Sequence, residues 1–201
     1  MRLPCWRVLF PVLTLALAAT GGAAGAQQVQ ASVQGLAVIE EALVGSAVRD
    51  LEFGTLTPGV SQGVAPQNAQ SCAGCASGLW ELTGLSRANN AARRYISITY
   101  VSLPATLAGP AGATLTLNWT NAARGCVMRS GAELYCVTQT PSAGGTFSIP
   151  INGPTAPAAV EPNSGGRDMH LYLGGTASPT ASQRAGVYTG TITVRMEYSS
   201  S

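Results

Sequence analysis

The sequence predicts an all-β protein, a β-sandwich of about eight strands, and three observations carry that prediction. Residues 186–198 alternate with a period of two: Tyr188, Ile192, Val194, Met196 and Tyr198 share one parity, while Thr189, Thr191, Thr193, Arg195 and Glu197 share the other. Elsewhere short apolar runs are separated by turns drawn from 24 Gly and 12 Pro, with no helical period after the N-terminal stretch. The hydrophobic share of 46% suffices for one core at this length, and no linker separates two apolar regions, so residues 40–201 read as a single domain.

The N-terminus reads as a secretory signal peptide, residues 1–26. Arg2 and Arg7 precede an apolar run over 8–19, and Ala24-Gly25-Ala26 offers the small-x-small pattern of a cleavage site before Gln27. The run is too short for a comfortable membrane span, so no span is expected in the mature chain. Cys5 lies before the apolar run rather than after it, which argues against a lipid anchor and gives this cysteine no role after cleavage. Loss of Arg2 and Arg7 leaves nine Arg against nine Asp plus Glu, a neutral mature chain without the basic footprint of nucleic-acid binding. The chain has no Lys, which excludes Schiff-base chemistry and a P-loop.

The elements follow in order. Residues 27–39 form an N-terminal strand or extension in which Val29, Ala31 and Val33 alternate with Gln28, Gln30, Ser32 and Gln34 before an apolar run over 36–39. Leu51 and Phe53 share a face in the next strand, Gly54 permits a bend, and Thr57-Pro58-Gly59 is a turn. Residues 60–78 read as loop. Strand character returns over 78–84, with Trp80 and Leu82 on one face, and over 95–101 after a polar turn at 87–94. A small-residue connection at 105–112 leads to 114–120, where Leu115, Leu117 and Trp119 face inward. A hairpin turns at 129–132. After a break at 138–145, a strand over 146–151 is confined to an edge by Pro150, and 152–167 is loop. Met169, Leu171 and Leu173 then alternate with His170 and Tyr172, and 175–185 bends back to the terminal strand.

Four cysteines remain after cleavage: Cys72, Cys75, Cys126 and Cys136. An even number in an exported chain predicts two disulfides, with three pairings open. The hairpin favours Cys126 with Cys136, leaving Cys72 and Cys75 to close a tight loop. Cys-x-x-Cys is also the spacing of a redox dithiol, and four cysteines can hold zinc, but Cys72-Ala-Gly-Cys75 sits in a loop by composition rather than at a helix start.

Leu51-Glu-Phe-Gly-Thr-Leu-Thr-Pro-Gly59, Met169-His-Leu-Tyr-Leu-Gly-Gly175 and Gly186-Val-Tyr-Thr-Gly-Thr-Ile-Thr-Val194 together resemble the DUF4402 domain family of secreted bacterial proteins, which is more distantly like spore coat U and chaperone-usher pilin subunits. The resemblance implies an immunoglobulin-like, pilin-like sandwich, exported and used at the cell surface or in a fibre. Pilin relatives lack the last strand of the sandwich and receive it from the next subunit's N-terminal extension. The two cysteine pairs depart from that family's pattern.

No motif points to an enzyme, a cofactor or a metal. His170, the one imidazole, sits beside Asp168 on the wet parity of its strand. No serine lies in Gly-x-Ser-x-Gly, and no His-Glu-x-x-His, Walker or dinucleotide signature occurs. Glu40-Glu41, Asp50 and Glu52 read as surface carboxylates, and no Asp-x-Asp-x-Asp run marks calcium. Asn118-Trp119-Thr120 fits a glycosylation sequon inside a strand.

The expected function is a secreted or cell-surface structural subunit, fibre- or coat-forming, that acts by β-strand addition. Val29, Ala31, Val33, Leu36 and Val38 are the candidate donor residues; Tyr188, Ile192, Val194, Met196 and Tyr198 are the candidate acceptor edge. The donor row is weak, because Ala and small Val side chains bury little and Gly35 interrupts it. Partners would be further copies or related surface subunits, with a periplasmic chaperone to cover an open groove. The alternative is a secreted glycan- or protein-binding module with a self-completed sandwich, for which Trp80, Trp119 and Tyr172 are the aromatic candidates.

Overall fold

The computed structural model describes residues 29–39, 43–85, 95–151 and 168–200. The expected signal peptide, the turn at 87–94 and the loop at 152–167 lie outside the described residues. In chain order the strands are β1 (Val29–Ile39), β2 (Val44–Arg49), β3 (Leu51–Leu56), β4 (Gln62–Val64), β5 (Cys75–Ala76), β6 (Gly78–Thr83), β7 (Tyr95–Ser102) and β8 (Thr106–Ala108). There follow β9 (Thr114–Asn118), β10 (Ala123–Arg129), β11 (Ala132–Gln139), β12 (Thr146–Pro150), β13 (Asp168–Leu173), β14 (Gly175–Ser178) and β15 (Gly186–Ser199).

These strands make an all-β fold of two sheets. The larger runs β4-β14-β9-β8-β15-β1-β3-β5, with β7 also joined to β15 and β12 to β7; the smaller runs β11-β10-β13-β6-β2. Alternation explains why they face each other. Trp80, Leu82, Val127, Met169 and Leu171 from the smaller sheet enter one core with Val33, Phe53, Ile98, Tyr188, Ile192 and Val194 from the larger.

At three of its crossings between the sheets the chain breaks an extended run at a single residue. Asp50 separates β2 from β3, and Ser77, fully buried, separates β5 from β6. Arg49 holds that second corner, donating from Nε to the Ser77 carbonyl at 2.8 Å and from Nη2 to its hydroxyl at 3.0 Å. Gly174-Gly175 makes the third corner, with φ +151° at Gly175; an added Cβ on Gly174 would collide with the backbone of Val64–Pro66. Glycine is therefore required by close backbone approach as well as by φ.

More strands occur than the eight expected. β4 and β5 lie within the loop at 60–78, β8 within 105–112 and β14 within 175–185. Each has two to four residues, too few for a period to be read. Pro104 divides what is otherwise one run, β7 and β8, both antiparallel to the same side of β15. β12 pairs only with β7 among the described residues, the edge position that Pro150 demands.

Among the described residues, one buried phenol has no partner. Tyr100 is 1% exposed, stacks on Phe147 at 6.1 Å between ring centroids, and its hydroxyl makes no hydrogen bond. Burial pushes its pKa far above the ordinary tyrosine value. Below pH 10 the phenol is neutral in both folded and unfolded chains. Above it the unfolded chain releases a proton that the folded one keeps, so stability falls by up to ~1.4 kcal/mol per pH unit from this residue. Tyr100→Phe is expected to remove that part of the alkaline loss and to stabilise the fold by about 1 kcal/mol at pH 7, since it deletes an unsatisfied donor. Urea unfolding of both proteins between pH 7 and pH 11 measures both effects.

Candidate functional site

The two ends of the described chain lie side by side. β1 runs parallel to β15 in unbroken register, from Val29 beside Gly186 to Ile39 beside Met196. On its other side β15 is paired with β7 from Thr193 to Ser199 and with β8 at Thr189. The terminal strand is therefore interior to the larger sheet rather than an open border, and its acceptor side is occupied by the chain's own N-terminal strand. Tyr188, Ile192, Val194 and Met196 are buried, and Tyr198 is partly buried.

β1 contributes Ala31, Val33 and Gly35 to the interior, while Gln30 and Gln34 face solvent. The register is continuous, so Leu36 stands beside Thr193, Ala37 beside Val194, Val38 beside Arg195 and Ile39 beside Met196.

Gly35 is a notch, not a gap. A Cβ placed on it would lie 2.6 Å from Cζ2 of Trp80, so the indole of β6 packs directly on the β1 backbone. Gly190, which interrupts the apolar row of β15, is the same device: its added Cβ would lie 2.7 Å from Cδ2 of Leu107. The Trp80 indole N–H, aimed at this interior, has no hydrogen-bond partner. β3 covers the far side of β1 only from Val29 to Val33, with a bulge at Ala31/Ser32. Beyond it the Gly35 N–H donates to Asp50 Oδ1 at 3.1 Å, a cap just past the end of the β3 pairing.

Over residues 30–35 the buried side chains are small, so this stretch of β1 is held chiefly by its backbone. Val33 is worth about 1.5–3 kcal/mol and Ala31 less. Each ladder hydrogen bond adds ~0.5–1.5 kcal/mol net.

The cysteines form Cys72–Cys75 and Cys126–Cys136 bonds. The second crosses the hairpin between register partners of β10 and β11. Replacing Cys126 and Cys136 by Ala is expected to cost ~2–3 kcal/mol through the looser unfolded chain, read as a lower thermal midpoint. Cys126, Glu133 and Cys136 bring potential ligand atoms within 4.8 Å of one another, but both sulfurs are spent in the bond and Arg124 holds the Glu133 carboxylate at 3.1 and 2.6 Å.

His170 belongs to this outer face of the smaller sheet, beside Cys126 and Glu81 in register. It is not simply wet. Its Nε2 lies 3.3 Å from Glu81 and its Nδ1 3.1 Å from the Tyr172 hydroxyl, which removes it from free solution. Tyr172 is itself 4% exposed, and burial raises its pKa, followed by the Glu133 charge. Of the three aromatic candidates, Trp80 is core and Tyr172 is covered. Trp119 lies just past the end of β9, half-buried and packed against the core. The strand stops where Asn118 Oδ1 accepts the Thr120 N–H at 2.9 Å, and the Trp119 Nε1 donates to the Pro104 carbonyl at 2.8 Å.

No helix among the described residues is long and apolar enough to cross a membrane. Neither a scan against protein-family models nor a search of curated proteins finds a match to this chain.

Proposed function

We propose that the chain is an exported structural subunit of a surface fibre or coat, that its two sheets are an immunoglobulin-like sandwich of the kind its resemblance to DUF4402 proteins implies, and that it assembles by exchanging β1 between copies. The observation that carries this reading is that one side of β15, from Gly186 to Met196, is filled by a single strand from the N-terminal end of the described chain. Two features support it further. The strand is weakly armed with side chains, so leaving its own groove costs little that a second groove does not restore. Only residues 40–43 lie between β1 in one sheet and β2 in the other, and short connections of this kind favour exchange over folding back.

Affinity in such an exchange comes from the backbone ladder, and register comes from Gly35 meeting Trp80. While β1 is out, the bare side of β15 is an aggregation hazard, which is the task a periplasmic chaperone would perform. The disulfide-bonded chain suits an oxidising exterior, and the proposed location is the cell surface.

Ser32 and Thr189 are register partners on the outward face. Copies carrying Ser32→Cys are mixed with copies carrying Thr189→Cys and oxidised after incubation at high concentration. Exchange gives a covalent heterodimer. If cross-linking occurs only when both cysteines sit in one chain, β1 never leaves, and the chain is the self-completed binding module instead.

A further inference from the structure

We infer that the polar cavity beside the Cys72–Cys75 loop is a binding site for a neutral saccharide. The inference is independent of whether β1 is exchanged. The cavity holds about 370 Å³ between residues 63–71, the turn at 120–122 and the start of β14. That volume falls in the range of ordinary small-ligand sites, roughly 300–1,000 Å³.

Its chemistry selects the class of ligand. The polar side chains on its walls are those of Gln67, Gln70, Ser71, Thr120, Asn121 and Thr176, all amides and hydroxyls, and none of the lining residues ionises. A charged ligand would surrender hydration without gaining a counter-charge. A polyol meets groups that donate and accept at similar spacing, which is what sugar hydroxyls require. Val64, Ala65, Pro66 and Ala122 supply the apolar part of the walls, against which the C–H face of a pyranose can lie.

The walls are also rigid before any ligand arrives. Gln70 Nε2 donates to the carbonyls of Ala65 at 2.8 Å and Gln67 at 2.6 Å, and its Oε1 accepts the Ala65 N–H at 3.0 Å. The Cys72–Cys75 bond closes the loop one residue beyond Ser71. On the opposite wall Asn121, at φ +50°, receives the Thr140 hydroxyl through Oδ1 at 3.3 Å and donates its own N–H to that hydroxyl at 2.9 Å. Gln70, the Gln67 carbonyl and Asn121 Oδ1 are thus committed to the scaffold, and the hydroxyls of Ser71, Thr120 and Thr176 are the lining groups left for a ligand. A fixed wall loses little entropy on binding, which allows a shallow polar site to function.

The test uses the full mature chain on an array of immobilised neutral oligosaccharides, namely glucans, galactans and N-acetylglucosamine oligomers, with sialylated and uronate-containing glycans as charged counterparts. Titration calorimetry then follows the strongest free oligosaccharide. Ser71→Arg and Thr120→Arg place a long side chain in the cavity from exposed positions that make no core contact. Binding is expected on neutral glycans only, and each arginine variant is expected to raise the dissociation constant at least tenfold while its thermal midpoint stays within about two degrees. An array without binders, a preference for the charged glycans, or affinity unchanged in both variants would overturn the assignment.

Discussion

Deleting residues 27–39 is expected to produce a chain that self-associates on its own and binds a synthetic peptide of those same residues one to one. The deletion uncovers the side of β15 that β1 pairs from Gly186 to Met196. Two losses add. The buried contacts of Val33 and Ala31 go, worth about 2–4 kcal/mol together. The backbone groups of β15 that faced β1 lose their partners at ~1–3 kcal/mol for each one left dry. Their sum is a part, not the whole, of a domain stability of about 5–15 kcal/mol, so the free deletion variant should be clearly less stable than the intact chain while its two-sheet body stays folded. Sedimentation of the variant with and without peptide reads the effect. A deletion variant that stays monomeric, melts as the intact chain does and ignores the peptide would mean that β1 contributes nothing to the fold.

Gly35→Val should be the most damaging single substitution in β1. Its Cβ would stand 2.6 Å from the Trp80 ring, and Trp80 is 1% exposed with no room to retreat. Overpacking of this kind costs typically 1–3 kcal/mol, and a β-branched side chain puts the figure at the upper end, ~3 kcal/mol. Trp80→Ala alone should cost ~3–5 kcal/mol through the cavity it leaves. The informative experiment is the pair. If the indole is what excludes a side chain at position 35, the double variant is less destabilised than the sum of the singles by at least ~1 kcal/mol, whereas additivity within ~0.5 kcal/mol would show that the two residues do not meet. Denaturant midpoints of the four proteins complete the cycle.

The same two residues show where the sequence was readable and where it was not. Period-two alternation located β15, β7, β9 and β13, because Thr, Arg and Glu at every second place leave one face for the core. The two glycines that interrupt the apolar rows, Gly35 and Gly190, looked like defects because what fills them is distant in sequence: Trp80 in one case, Leu107 in the other. β4, β5, β8 and β14 escaped notice because their hydrogen bonds are their only signature; they are too short to pattern.

For the candidate site, alternation identified the buried face of β15 but not what lies beside it. Whether a terminal strand ends a sheet or sits within one depends on pairing, and pairing leaves little trace in the strand's own residues. Trp119 packs against the core as its parity suggests, although the Asn118 side chain closes a turn that ends β9 one residue earlier.

The central claim is that β1 is a separable strand seated on an otherwise complete body. Amide hydrogen exchange of the intact chain tests it most directly, by comparing residues 31–35 of β1 with residues 169–173 of β13 in the smaller sheet. The account predicts that the β1 amides open at a free energy several kcal/mol below that of β13, through local release that leaves the body folded. Exchange of β1 at the same free energy as β13, only through global unfolding, would contradict it.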